Sequence, residues 1–248
     1  MKISIITVVL NNAECIEECI KSVLDQAYKN IEYIIVDGGS TDGTTEIIRK
    51  YESKIAKWIS EPDRGIYDAM NKGLRLASGD VVGILNSDDV YYDESVIQCI
   101  AKVMQNQSID ACYSDLVYVD RDDLQKIVRY WKSCNFRYEL FRKGWIPPHP
   151  TFYVKKAIYN KYGFFDTSYR FAADYELMVR FLAFHKINVR YIPIVAVKMR
   201  VGGVTNKSIR NIVKQNFEIL RACKKNNIKV YPPLFFINKF FYRLKQFF

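Results

Sequence analysis

The run "ISIITVV" (3–9) is apolar on nearly consecutive positions and rich in β-branched residues, and it stops at Asn11-Asn12. This pattern predicts a buried strand. Ile16, Ile20, Val23, Leu24 and Ala27 then recur at helical spacing. "IEYIIVD" (31–37) predicts a second buried strand, broken by Gly38-Gly39, with Ser40-Thr41-Asp42 offering a cap for the helix "TTEIIRKY". "IAKWIS" (55–60) predicts a short third strand. "GIYDAMNKGLRLAS" (65–78) predicts a helix with Ile66, Met70, Leu74 and Ala77 on one face, and "DVVGILN" (80–86) a fourth strand. Strands alternating with helices imply right-handed crossovers and a mostly parallel sheet, whose ligands bind beyond the carboxyl ends of the strands. Asn11-Asn12, Asp37 and Asp88-Asp89 all fall at those ends.

The second half is less regular. "CYSDLVYVD" (112–120) and "KIVRYWK" (126–132) predict paired strands around an Asp-rich turn. "GWIPPHPTFYV" (144–154) predicts a stiff loop entering a strand. "AADYELMVRFLAFH" (172–185) predicts a helix with Leu177, Phe181 and Phe184 apolar and Glu176 paired with Arg180. "INVRYIPIVAVKMR" (187–200) predicts a strand and "KSIRNIVKQNFEILRACKKN" (207–226) a helix. In the tail, 232–248, Ile237, Phe240, Phe241, Leu244 and Phe248 share one helical side, with Lys239, Arg243 and Gln246 on the other. A basic, aromatic-rich amphipathic helix of this kind reads as an interfacial membrane anchor, or as a helix docked on the domain or on a second subunit.

Composition narrows the classes. The 248 residues suffice for one large domain or a domain with an extension. No apolar run is long enough to span a membrane, and the amino terminus reads as a strand, not a leader. The six cysteines form no C-x-x-C pair, and His149 and His185 are the only histidines, which argues against zinc and for a reducing, cytoplasmic setting. The net charge of +10 is uneven. Residues 1–120 carry 11 Lys+Arg and 20 Asp+Glu (−9), and residues 121–248 carry 26 and 7 (+19). Such asymmetry suggests an anionic partner for the second half, such as nucleic acid, an acidic membrane surface or a phosphorylated substrate; the plainer alternative is a solvated surface.

Several clusters carry candidate chemistry. Asp88 and Asp89, at the mouth of a buried strand in "ILNSDD", are hard oxygen ligands suited to Mg²⁺ or Mn²⁺ together with substrate phosphates; the plainer alternative is a helix cap by Asp89. Asp37 could accept the imide N–H of uracil or an edge of guanine, or simply cap a turn. G-x-G-x-x-G and Gly-Lys-Ser/Thr are both absent, so dinucleotide and P-loop sites are poor readings. "EPDRGIYDAMNKG" (61–73) gathers Arg64, Asp68, Asn71 and Lys72, suited to diphosphate oxygens or to an exposed helix face.

Together, "SIITVVLNN", "IIVDGGSTDGT", "NKGLRLASGDVVGILNSDD" and "AADYELMVR" resemble, in order and spacing, the inverting nucleotide-sugar glycosyltransferases of family 2, over roughly residues 3–185. "EPDRGIYDAMNKG" resembles a subgroup linked to bacterial cell-surface polysaccharide assembly. The resemblance implies the α/β GT-A fold, Rossmann-like, with a mostly parallel central sheet flanked by helices. It implies donor binding by Thr7, Asn11, Asp37 and the Asn71–Gly73 segment with Lys72, beside which Arg64, Asp68, Ser87 and Asp88 are further donor candidates, and a metal held by Asp88 and Asp89. It implies Asp174 as the catalytic base, taking a proton from an acceptor hydroxyl. His149 and Arg200 are candidates for the acceptor or diphosphate, Arg200 as part of a closing loop with Gly202-Gly203. Asn86, Ala173 and Met70 depart from the family pattern, so a cation would rest on Asp88 or Asp89 and on the donor's phosphates.

These observations predict a transferase domain at 1–205, divided into a nucleotide-sugar half (1–120) and an acceptor half (121–205), followed by a helical extension (206–248). They imply a glycan or lipid-linked glycan acceptor, peripheral attachment to an anionic inner membrane surface, and possible homo-oligomers. Two alternatives fit less well. A sugar nucleotidyltransferase would need a Gly-rich, Arg-containing loop where "LNNAEC" stands. A basic nucleic-acid-binding protein would not line its crevice with carboxylates.

Overall fold

The computed structural model describes residues 1–202 and 208–247, and of Ile209 the backbone only. The part of "RVGGVT" from Gly203 onward and Phe248 lie outside them. The first half winds as β1 (Ile3–Val9), α1 (Ile16–Leu24), β2 (Ile31–Asp37), α2 (Thr44–Lys50), β3 (Lys57–Ser60), α3 (Ile66–Leu76) and β4 (Val81–Ile84). These four strands pair in parallel in the order β3-β2-β1-β4. β1 lies inside the sheet, and both of its faces are covered. Ile6 and Val8 enter one core with Met70 and Leu74 of α3, while Ile3, Ile5 and Val9 enter another with Ile16, Cys19 and Ile20 of α1. Gly73 lets α3 press onto β1, since a Cβ there would stand 2.4 Å from Ile6 Cγ2.

The second half continues as β5 (Val90–Tyr91), α4 (Val96–Met104), β6 (Ala111–Val119), β7 (Ile127–Trp131), α5 (Tyr138–Arg142), β8 (Tyr153–Lys155), α6 (Lys156–Tyr162), α7 (Ala173–Val179), β9 (Val189–Arg200), α8 (Ile209–Lys225) and α9 (Pro232–Leu244). The sheet runs on from β4 through β8, β6 and β9 to β5, with β7 against β6. β6 and β9 are parallel, and the pairings made by β5, β7 and β8 are antiparallel. Gly83 of β4 makes the antiparallel junction possible, because the Tyr153 ring of β8 occupies the space a Cβ would need.

Three departures from the pattern reading have local causes. The helix predicted over 172–185 is α-helical only to Val179 and continues as a π turn over Arg180–Phe184. There Arg180 pairs with Glu176 at 3.1 Å and donates to the carbonyls of Gly163 and Phe164. The wider turn leaves Phe184 half exposed. Ile66, placed on the buried face of α3, is exposed at its first turn. α9 turns Lys239 toward α8 while Arg243 stays exposed. Phe235 is 1% exposed in the core shared with Ile219, Ala222 and Cys223 of α8, whereas Leu234, Ile237, Phe240, Phe241 and Leu244 are 38–60% exposed.

Candidate active site

The loops leaving β1, β2 and β4 are laced together. Asn11 holds a left-handed backbone (φ 50°), which asparagine tolerates better than most residues. Its N–H donates to Ser40 Oγ (2.7 Å), and its Oδ1 accepts from the Thr41 N–H (2.8 Å). Asn12 donates from Nδ2 to Ser87 Oγ (2.9 Å) and from its N–H to Thr44 Oγ1 (3.0 Å). Asn12 therefore ties the first loop to both others, a linkage its neighbour Asn11 does not make. Asp37 is completely buried, and its oxygens accept from the N–H groups of Gly39 and Ser40 and the hydroxyls of Ser40 and Ser60. In this structure it fixes the β2 loop. Asp63 leans against Gly38, where a Cβ would stand 2.4 Å from Asp63 Oδ2.

Asp88 and Asp89 follow β4 in a different setting. Asp89 is completely buried; its Oδ2 accepts weakly from Asn86 Nδ2 (3.3 Å), while its Oδ1 has no donor. Asn86 Oδ1 is likewise buried without a donor. Burial first, then the Asp88 charge, push the Asp89 carboxyl well above the ordinary range. Burial also raises Asp88, with Arg200 and Arg121 partly offsetting it. Buried acceptors without donors are rare in folded proteins. A divalent cation would satisfy both orphaned oxygens and relieve the two carboxylates, so these residues fit Mg²⁺ or Mn²⁺. Among the described residues no cluster of three His, Cys, Asp or Glu side chains completes a metal cage, so a cation here would need ligands from a bound molecule.

Other candidates are arranged differently from expectation. Thr7 is completely buried, and its hydroxyl accepts from Tyr33 OH (3.1 Å). Asn71 is 4% exposed and brackets the Phe165 peptide, donating to its carbonyl (2.9 Å) and accepting its N–H (3.0 Å). Lys72 binds the Pro62 carbonyl and Glu61, each at 2.8 Å, steadying the loop before α3. Asp68 accepts from the Arg64 N–H (3.1 Å), and the Arg64 guanidinium is exposed. Arg200 ends β9 instead of sitting in a loop. Its guanidinium donates to the Asp88 carbonyl (2.7 Å) and the Arg121 carbonyl (3.0 Å) and pairs with Glu18. It therefore clamps the Asp88–Asp89 loop to α1.

Asp174 stands in the first turn of α7, whose N-cap is Ala172, and it makes no capping bond. Its Oδ1 accepts from Tyr67 OH of α3 (3.0 Å). Tyr67 stacks on Phe165 (5.6 Å), and the His149 ring meets Phe165 edge-on (5.7 Å). Burial lowers the His149 pKa and the Asp174 charge partly restores it, so the imidazole is neutral at neutral pH. Glu218 of α8 collects the N–H groups of Arg170, Phe171 and Ala172 at 2.7–3.0 Å, holding the segment that delivers Asp174. Neither Tyr67 nor Glu218 carries a sequence signal for these roles, because their partners lie 107 and 46–48 residues away.

Residues 4–171 match the family described as glycosyl transferase family 2. An uncharacterized glycosyltransferase of Mycobacterium tuberculosis is 33% identical over 180 residues, covering 72% of this chain and 68% of its own. A PGL/p-HBAD biosynthesis glycosyltransferase of Mycobacterium bovis is 26% identical over 216 residues, covering 82% and 78%. Among solved structures, S. aureus TarS 1–349 in complex with UDP superposes with a TM-score of 0.66 at 18% identity, over 91% of this chain and 65% of that one. The mannosyltransferase PcManGT from Pyrobaculum calidifontis, in complex with GDP-Man and Mn²⁺, gives 0.67 at 20% identity, over 96% and 69%. A sheet of this order, flanked by helices, is the GT-A architecture those structures share, and the chain belongs to glycosyltransferase family 2.

Proposed function

We propose that this glycosyltransferase moves a sugar, with inversion, from a nucleoside-diphosphate donor to a hydroxyl of a lipid-linked glycan in cell-surface polysaccharide assembly. The observation that carries this reading is the pair of donorless buried oxygens, Asp89 Oδ1 and Asn86 Oδ1, beside Asp88 at the mouth of the parallel strands. When bound there, Mg²⁺ or Mn²⁺ would neutralise charge developing on the leaving phosphate. The Asn11–Ser40–Thr41 network, the Asn12–Ser87 bond and the Asp37-anchored loop would shape the nucleoside pocket, with exposed Arg64 at its rim. Asp174, held by Tyr67, would accept the acceptor's proton as its oxygen attacks the anomeric carbon. Neutral His149 suits the acceptor wall better than a diphosphate contact. TarS with UDP and PcManGT with GDP-Man and Mn²⁺ support a metal-assisted nucleotide-sugar donor, and the relatives named for PGL/p-HBAD biosynthesis support a lipid-linked product.

The outward apolar side of α9 supports attachment to the inner face of an anionic membrane, since no helix among the described residues is long and apolar enough to cross one. We also read residues 206–248 as an extension of a 1–205 transferase domain. Calorimetric titration with UDP and GDP, with and without Mn²⁺, tests the central reading. Metal-dependent binding of either nucleotide is expected, and binding of neither at millimolar concentration would overturn it.

A further inference from the structure

Lys239 and Arg243 of α9, the first partly buried and the second exposed, stand near Arg129 of β7 with no carboxylate among the described residues paired to any of them. Lys239 Nζ donates to Asn216 Oδ1 of α8 (3.1 Å), and its own Cβ stands 3.0 Å from where a Cβ on Gly144 would lie. Arg243 follows one turn later on the same side of the helix. Arg129 of β7 is 9% exposed, with its guanidinium 3.5 Å over the Tyr118 ring and 5.5 Å from the Phe247 ring. The Tyr130 N–H donates to the Gln246 carbonyl (2.8 Å), so the end of α9 is fastened to β7 and the cations are kept together. Among the described residues none of the three forms an ion pair.

The grouping is electrostatically costly. Burial first, then Arg243, push the Lys239 amine down to about 8, with the Asp174 charge partly offsetting them. Burial lowers Arg129 as well, with Tyr118 opposing and Arg243 adding to the effect. Like charges held half-desolvated without partners are seldom kept by a fold for stability. The Asp174 charge is felt at Lys239, and the Asp89 charge at Tyr118 beneath Arg129. Resting on the glycosyl-transfer reading above, we propose that Arg129, Lys239 and Arg243 form a diphosphate-binding site, contributed jointly by β7 and the C-terminal helix. Two cations one helical turn apart and a third from the neighbouring strand match two adjacent phosphoryl groups, and Arg129 and Arg243 offer forked donors to them. The diphosphate belongs either to the donor's leaving nucleotide or to a lipid-linked acceptor, whose apolar part would lie along the outward side of the same helix.

Binding of UDP with Mn²⁺, and separately of farnesyl diphosphate, is measured on the full chain and on the double variant Lys239→Gln, Arg243→Gln. At least about tenfold weaker binding of one of the two ligands is expected, from the loss of two charge-assisted contacts. A loss confined to UDP assigns the site to the donor, and a loss confined to farnesyl diphosphate assigns it to the acceptor. Equal affinity for both ligands overturns the proposal, as does absence of binding to the wild type. Should the double variant fail to fold, exposed Arg243→Gln alone carries the test, with about threefold weakening expected and unchanged binding overturning the site. A wild type that binds diphosphate yet hydrolyses no nucleotide-sugar defeats the transferase reading and leaves this site standing.

Discussion

Asp89 and Lys239 both carry charges the fold does not balance from within, and each yields a test. At Asp89 the orphaned Oδ1 and the neighbouring Asp88 charge make a cation the natural partner. Millimolar Mn²⁺ is expected to raise the melting temperature of the wild type by a few degrees through preferential binding to the folded state, and that of Asp89→Asn not at all. An equal rise in both would remove Asp89 as a ligand. At Lys239 the folded amine sits near 8, whereas the unfolded value is about 10.4. The unfolded chain holds the extra proton between those values, so the penalty is fully present below pH 8 and disappears above pH 10.5. Lys239→Met is expected to be more stable than the wild type by about 1–2 kcal/mol at pH 7, after allowance for solvent screening, and the gain should vanish near pH 10.5. Denaturant melts at the two pH values check this, and a pH-independent difference would contradict it.

At the scale of elements, α8 acts as a brace for the turn that carries Asp174. Glu218 takes the three N–H groups just before Asp174, so Glu218→Ala leaves three donors without their acceptor. A loss of about 1–3 kcal/mol in stability is expected. Turnover should fall while Mn²⁺-dependent nucleotide binding stays within about twofold, because the nucleotide loops are laced to one another and not to α8. Equal loss of both functions would mean a purely structural role. β1, β2, β4, α3 and β9 were legible from the sequence because their burial leaves a period in the chain. α4 was not read, although Val96, Ile97, Ile100, Ala101 and Met104 bury one of its sides; no chemistry drew attention to it. The intramolecular partners of Asn71 and Arg200 were not legible for a different reason. The Phe165 peptide and Glu18 lie 94 and 182 residues away, and only the folded chain shows that they occupy those side chains. The carboxylates were legible as a pair, but the orphaned oxygens beside them, on which the proposed cation site rests, belong to three-dimensional packing.

At the scale of the molecule, the charge divides along the chain into an acidic first half and a basic second half, and α9 belongs to the basic one. The helix turns Phe235 and Lys239 toward the domain and leaves Ile237, Phe240, Phe241 and Leu244 outward, the reverse of a helix meant only for water. Co-sedimentation with vesicles containing anionic lipid is expected for the wild type, and at least about tenfold weaker for Ile237→Ser, Phe241→Ser, Leu244→Ser, which leaves Phe235 in the core. Undiminished sedimentation would contradict membrane attachment through α9. The most direct test of the central claim is release of nucleoside diphosphate from a panel of nucleotide-sugars, with Mn²⁺ and with chelator, by the wild type and Asp174→Asn. Release from at least one donor, only with Mn²⁺ and lowered by about 10²–10⁴-fold in Asp174→Asn with nucleotide affinity kept, is the expected result. Release that is indifferent to the metal and to Asp174 would contradict it.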